Sequence, residues 1–440
     1  MNKSYFDGLN KKLFDSIPNS SKRILELGCA NGRLGSTYKH LNEGVHWTGV
    51  DNSSTALEKA KDVLDHVIQV DLNRESLLSI FEKKHFDTIV IGDLLEHIVK
   101  PDKLLDELFE LTTDTGKIVC CLPNMSHLSV VQKIITGDIT YDEMGLLDKT
   151  HLRLYSPASA FKLFLDSQWL PNLKDQYRTN LQESQFLRGI LHASNSLGVP
   201  TKTALKNLGL YQMIIECTKS IDIISQQPIK MSLSVVVPVT RQWELNENIM
   251  KSPGLKEINA EIIPISNAKT AHEAYEEGRK RAKNDWILFA HQDLYLPQGA
   301  GNLIISNLSA LGLFESPPPI GFAGIDAGFK KAGLLIDRTA LFSYPSSNHA
   351  ISIDECAVLL HRNSRVKIDS NLGWHTWATD LCLQAAIKED IENARILRIP
   401  LFHNSLNDYS LPDAYHSSAR TLKEKYPEFN RIETLCGAIV

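Results

Sequence analysis

No apolar run in this chain approaches the roughly 18 residues that a membrane-spanning helix needs. The opening residues, MNKSYFDGLNKKLF, have neither the apolar centre nor the cleavage site of a secretory leader. Cysteine is sparse and unpatterned: Cys29, Cys120, Cys121, Cys217, Cys356, Cys382 and Cys436 form no CxxC pair. That spacing argues against the usual zinc frameworks, and the scattered, odd set reads as reduced thiols of a cytoplasmic protein. Neither sign of charge dominates, with 47 basic residues against 52 acidic ones and a formal net of −5. A protein that holds nucleic acid by bulk positive charge is therefore not expected. Internal repeats and low-complexity tracts are also missing. What remains is a chain of 440 residues, 43% hydrophobic, enough for ordinary cores in roughly two or three domains.

The organising stretch is RILELGCANGRLG, Arg23 to Gly35. A short apolar run leads into Gly28, Cys29, Ala30, Asn31 and Gly32, and a second run, WTGVD, stops at Asp51. A buried strand feeding a glycine turn at a helix start is a way to hold a nucleotide-like cofactor. Strand patterns at Ile24–Leu27, His46–Val50, His66–Val70, Thr88–Ile91 and Lys117–Leu122 alternate with helical ones such as Ser54–Leu64 and Asp102–Leu111. This rhythm predicts an α/β fold with a doubly wound sheet. Ligands in such sheets sit at the carboxyl ends of the strands. Those ends carry Glu26, Gly28, Asp51, Asp71, Asp93, Glu96, His97 and Asn124. Asp71 could instead cap a helix before Leu72, and Glu96 with His97 could simply begin a helix.

ELGCANG, GVD, QVDLN, IGDLLEHI and LPN, in that order, resemble the motifs of class I S-adenosylmethionine-dependent methyltransferases. The resemblance covers about residues 20–220 and implies a Rossmann-like domain over 1–220. It implies that Glu26 and the loop Gly28, Cys29, Ala30 and Gly32 face the methionine part of the cofactor. Asp51 with Asn52 would take the ribose hydroxyls, Asp71 with Leu72 the adenine, and Asp93 would complete the site. GLLDKTHLRLYSP, Gly145 to Pro157, resembles a segment near the acceptor pocket of small-molecule and sugar methyltransferases. His97 and His151 are then the candidate bases, and Asn124 and Arg153 candidate substrate contacts. A core role for His151, with Arg153 paired to Asp148, is the alternative. Residues 181–206 read as an inserted helical piece, and Leu210–Ser220 as the last strand. The polar stretch 221–230 reads as a linker.

The strand pattern restarts at SLSVVVPV, Ser232 to Val239, continues at Ala260–Ile265, and reaches NDWILFAHQDLYLP, Asn284 to Pro297. A carboxylate ending such a strand can hold a divalent cation on a diphosphate. Residues 231–440 resemble the GT-A fold of family 2 glycosyltransferases, in the streptomycin-biosynthesis-type subgroup, whose members show HQD where others show DxD. IGFAGIDAG, SIDECAVLLHR, LGWHTWATDLCLQA and RIPLFHNS follow in the subgroup's order. The resemblance implies Asp380 as the base of an inverting transfer. It implies Asp293 and His403 as ligands of Mn²⁺ or Mg²⁺, and Pro238, Asp354 and His375 as substrate contacts. It also implies a nucleotide-sugar donor and a glycan or glycosylated small-molecule acceptor, as in bacterial surface glycan biosynthesis. HQD offers one carboxylate, and Thr379 precedes Asp380 where relatives place an acid, so a non-catalytic binding module is the alternative for this half. Tailoring of a natural product is another.

Overall fold

Strand β1 (Arg23–Leu27) is apolar on both faces, with Ile24, Leu25 and Leu27 fully buried. A strand buried on both sides belongs inside a parallel sheet covered by helices. The computed structural model describes residues 9–220, 231–311, 316–388, 391–406 and 411–440. The chain divides into two compact units, Met1–Ile221 with Leu406–Asp408, and Asp222–Ser405 with Tyr409–Val440. The expected linker, 221–230, lies outside the described residues. Among those described, no helix is long and apolar enough to cross a membrane.

In the first unit β1 is joined by β2 (His46–Asp51), β3 (His66–Gln69), β4 (Phe86–Gly92), β5 (Thr112–Pro123), β6 (Trp169–Arg178) and β7 (Leu210–Lys219). They form one seven-stranded sheet in the order β3-β2-β1-β4-β5-β7-β6. Strands β1 to β5 run parallel, while β7 runs antiparallel between β5 and β6. The winding reverses between β1 and β4, so a crevice opens beyond their carboxyl ends. The helix Pro101–Leu111 starts on proline and buries Leu104, Leu105, Leu108 and Leu111 along one stripe. The helix expected over Ser54–Leu64 ends at Ala60, and a turn follows in which Val63 and Leu64 donate back to the Ala60 carbonyl. The inserted piece forms two helices, Gln185–Ser196 and Thr201–Gly209.

The second unit holds β8 (Ser234–Val239), β9 (Glu261–Ser266), β10 (Trp286–Ala290), β11 (Leu294–Tyr295), β12 (Ile320–Gly321), β13 (Ala323–Asp326), β14 (Lys331–Asp337), β15 (Ala340–Ser343), β16 (Ala350–Ile353), β17 (Ala357–His361), β18 (Arg395–Ile396) and β19 (Phe402–His403). One sheet runs β18-β12-β17-β10-β8-β9 and another β11-β19-β14-β13-β16, with β15 on β14. Side chains alternate across β8: Val235 and Val237 join one core, Val236 the other. The stretch Ile320–Gly328 is split at Phe322 between the two sheets. Its glycines permit the crossing, since a Cβ on Gly324 would lie 2.1 Å from the Ser352 carbonyl oxygen.

Candidate active site

The loop after β1 is built by backbone bonds before any ligand is considered. Gly28 (φ +72°) and Cys29 donate N–H groups to the Val50 carbonyl at 2.8 and 3.0 Å. Ala30, at φ +48°, donates to Asp51 Oδ2 at 2.9 Å, and Ser53 donates to Asp51 Oδ1 at 2.9 Å. A non-glycine residue in that backbone region is uncommon, and here the Asp51 bond holds it. Asp51 thus ties the loop to β2, and each oxygen keeps a lone pair for a ligand. Gly32 has a different task. It enters the helix Arg33–Leu41 at φ +76°, and a Cβ there would meet Val63 at 2.9 Å.

Glu26, next to last in β1, lies beneath this loop and accepts the Trp47 indole N–H at 2.8 Å. Burial, reinforced by Asp51, pushes its carboxyl up to about 8 against the bond from Trp47. Asp71 accepts from the Asn73 N–H at 3.0 Å and pairs with Arg74 at 3.2 Å, so it caps a turn and not the helix that was the alternative expectation. Asp93 follows β4 at φ +48° and accepts from Gln212 Nε2 at 2.7 Å.

A cavity of about 1040 Å³ is lined by Glu26, Gly28, Cys29, Ala30, Asp51, Asn52, Asp71, Leu72 and Asp93. The same cavity is lined by Glu96, His97, Asp148 and His151. The segment Gly145–Pro157 reaches it because Leu152 and Arg153 both donate backbone N–H groups to the Glu96 carbonyl, at 2.7 and 3.0 Å. The rings of His97 and His151 then stand 4.9 Å apart, edge to face. Burial raises the Glu96 carboxyl well above its usual range, with Asp93 adding to it.

Two expectations are corrected here. Asn124 is fully buried and donates to the carbonyls of Asn207 and Leu210 while accepting from the Ser126 N–H, so it is a structural anchor. Arg153 pairs neither with Asp148 nor with the cavity; its guanidinium donates to the Val99 carbonyl. Gln212 and Tyr211 line the cavity and were missed, because only the pairing of β7 with β5 brings them there.

In the second unit, the register Leu294↔His403 between β11 and β19 sets His403 against the turn after β10. His403 Nε2 lies 3.4 Å from Asp293 Oδ1, and its Nδ1 lies 3.0 Å from Asp337 Oδ1. Burial alone would lower the His403 imidazole, but Asp293 and Asp337 hold it well above its ordinary range. Asp293 is in turn held well below the usual carboxylate range: burial opposes this, and His403 and His291 prevail. His291, Asp293 and His403 offer three ligand atoms within 4.8 Å of one another, a donor set that fits a divalent cation. His291 and Asp337 were missed by sequence reasoning. Gln292 accepts from Thr240 and Arg241 N–H groups, both at 2.9 Å, and so pins the loop after β8, the strand that carries Pro238. Asp354 caps the turn into β17 through the Cys356 N–H at 2.9 Å, and His375 lies 3.7 Å from Glu355.

Asp380 is the main correction. It has no exposed surface, and it accepts from Lys425 Nζ at 2.8 Å, Tyr426 Oη at 2.7 Å and Gln384 Nε2 at 2.7 Å. A carboxylate so committed serves packing and charge balance, not proton abstraction from a ligand.

Residues 18–169 match the family described as methyltransferase domain. The N-terminal unit carries a class I S-adenosylmethionine-dependent methyltransferase domain. The match ends before the second unit begins. The methyltransferase domain is similar to the ubiquinone biosynthesis O-methyltransferase of Coxiella burnetii (strain RSA 493 / Nine Mile phase I), 25% identical over 138 residues, covering 30% of this chain and 56% of that one. A mitochondrial ubiquinone biosynthesis O-methyltransferase of Schizosaccharomyces pombe is 29% identical over 123 residues, covering 27% and 44%. The chain thus spans about half the length of these curated relatives. Among solved structures, a SAM-dependent methyltransferase from Archaeoglobus fulgidus is 16% identical with a TM-score of 0.33, covering 46% of this chain and 87% of that one.

Proposed function

We propose that the first unit transfers a methyl group from S-adenosylmethionine to an oxygen or nitrogen of a small or sugar-bearing acceptor. One observation carries this reading: a single cavity is lined both by the loop and acids expected to hold the donor and by His97 and His151. Glu26 and the Gly28–Ala30 loop hold the methionine end, Asp51 the ribose, and Asp71 with Leu72 the adenine. The donor supplies a sulfonium methyl carbon open to in-line displacement. Each histidine directs Nδ1 at a backbone carbonyl, which leaves Nε2 as the basic atom toward the acceptor. Calorimetry on the full chain tests this. S-adenosylmethionine should bind, and Asp51→Ala should weaken it at least about tenfold by freeing the loop and losing the ribose contact. No binding to the wild-type chain would end the reading.

For the second unit we propose transfer of a sugar from a nucleotide-sugar donor onto a glycan or glycosylated metabolite. Asp293 and His403, joined by His291, would hold Mn²⁺ or Mg²⁺, which neutralises a leaving diphosphate. The convergence of these three donors supports the reading. Asp380 is not available as its base, so donor binding without transfer is the competing reading for this unit. A thermal-shift screen of nucleotide sugars with Mn²⁺, repeated on Asp293→Ala, separates donor binding from none.

A further inference from the structure

We propose that Glu355, in place of Asp380, is the base that takes the acceptor's hydroxyl proton in the second unit. The proposal rests on the reading of that unit as a sugar transferase. Topology brings this carboxylate to the edge where a ligand would sit. Strand β10 runs parallel to β8, and β17 runs antiparallel to β10 with Ala357 opposite Ala290. One residue beyond that pair, the His291 N–H donates to the Cys356 carbonyl at 2.9 Å. Glu355 therefore leads into β17 at the edge where β10 runs out into His291 and Asp293. Ligands of such sheets collect at the carboxyl ends of the parallel strands. The charges of Asp354 and His375 both reach His291, so the Glu355–His375 pair adjoins the three donors described above.

Glu355 differs from the acids around it in how freely it can meet a ligand. Its side chain is 21% exposed, whereas that of Asp380 has no exposed surface. His375 Nδ1 stands 3.7 Å from Glu355 Oε2, longer than a hydrogen bond. The carboxylate is thus not closed off as Asp380 is by Lys425, Tyr426 and Gln384. Asp354, its neighbour along the chain, commits Oδ1 to the Cys356 N–H. Burial raises the Glu355 carboxyl above its ordinary range and Asp354 adds to the rise, while His375 and the Thr376 backbone N–H oppose it without prevailing. A carboxylate lifted toward neutral pH is a stronger proton acceptor than an ordinary one.

The residue after His375 carries an independent mark. Thr376 precedes the helix Trp377–Ile387 at φ +63°. A β-branched residue in the left-handed region is an outlier, and such residues gather at sites that bind or react. Thr376 is 3% exposed, and its hydroxyl has no hydrogen-bond partner. A buried hydroxyl without a partner in the chain is ready for one from a ligand.

In the step itself, the acceptor O–H bond breaks and its proton passes to a Glu355 oxygen. The acceptor oxygen's electron pair forms the bond to the anomeric carbon. The anomeric carbon's bond to the leaving oxygen breaks, and that pair departs with the nucleoside diphosphate.

The test uses the full-length chain with Mn²⁺ and a panel of UDP-, GDP- and dTDP-sugars. Thermal shift selects the donor that binds. Released nucleoside diphosphate reports its cleavage, with water and simple methyl glycosides offered as acceptors. Glu355→Gln should bind the selected donor as the parent chain does, while diphosphate release falls at least about a hundredfold. Asp380→Asn should still release diphosphate at close to the parent rate per folded molecule. Unchanged release in Glu355→Gln, or donor binding lost together with release, overturns the proposal. A folded Asp380→Asn chain that binds donor and cannot cleave it overturns it as well. A parent chain that binds a donor and never cleaves it removes the base and leaves donor binding standing. A parent chain that binds no donor ends the transferase reading itself, and the base with it.

Discussion

Glu26 is buried with one donor to its carboxyl, and burial pushes that carboxyl up to about 8. Its folded value lies above the ordinary one. Its contribution to stability is therefore complete below about pH 4.5 and lost as pH rises through about 8. Chemical unfolding of the unliganded chain should show this fall between pH 5 and 8, and Glu26→Gln should flatten it. If the cofactor's ammonium group seats against Glu26, binding near pH 7 should release up to about one proton. Calorimetry in buffers of different ionisation enthalpy reads that number directly. At this scale the sequence was most legible where a polar residue ends an apolar strand: Glu26, Asp51, Asp71 and Asp93 all line one cavity. Asn124, Arg153 and Asp380 were not legible. Their partners are carbonyls of Asn207, Leu210 and Val99, and the side chains of Lys425 and Tyr426, all distant along the chain.

Between elements, Asp380 ties the helix Trp377–Ile387 to the end of the helix Asp413–Lys425. Asp380→Ala should lower the stability of the second unit by about 1–3 kcal/mol, since it strands the Tyr426 hydroxyl and leaves the Lys425 ammonium with Asp369 alone. Denaturant titration checks the loss, and nucleotide-sugar binding measured on the folded variant should survive it. Loss of binding without loss of stability would restore a ligand-facing role. Close backbone approach is the second device. Gly324→Ala would drive a Cβ into the Ser352 carbonyl and should cost about 1–3 kcal/mol by forcing β13 away from β16. The same glycine explains why the stretch Ile320–Gly328 divides between two sheets.

For the whole molecule, two units with separate cores should unfold in two steps. At a hundredfold excess over its dissociation constant, S-adenosylmethionine should add about 2.7 kcal/mol to the unit that binds it. Scanning calorimetry should therefore show one transition rising and the other unmoved. A single transition that shifts as a whole would show that the units unfold together. The order of apolar strands, glycine turns and terminal acids was enough by itself to determine a doubly wound first unit with a ligand crevice, because that periodicity is local and set by burial. Only the tertiary structure decided which polar residues meet. It brings His151 back onto Glu96, adds His291 and Asp337 to Asp293 and His403, and buries Asp380 under Lys425. Those meetings depend on strand register and long-range docking, and a one-dimensional pattern of residues carries neither.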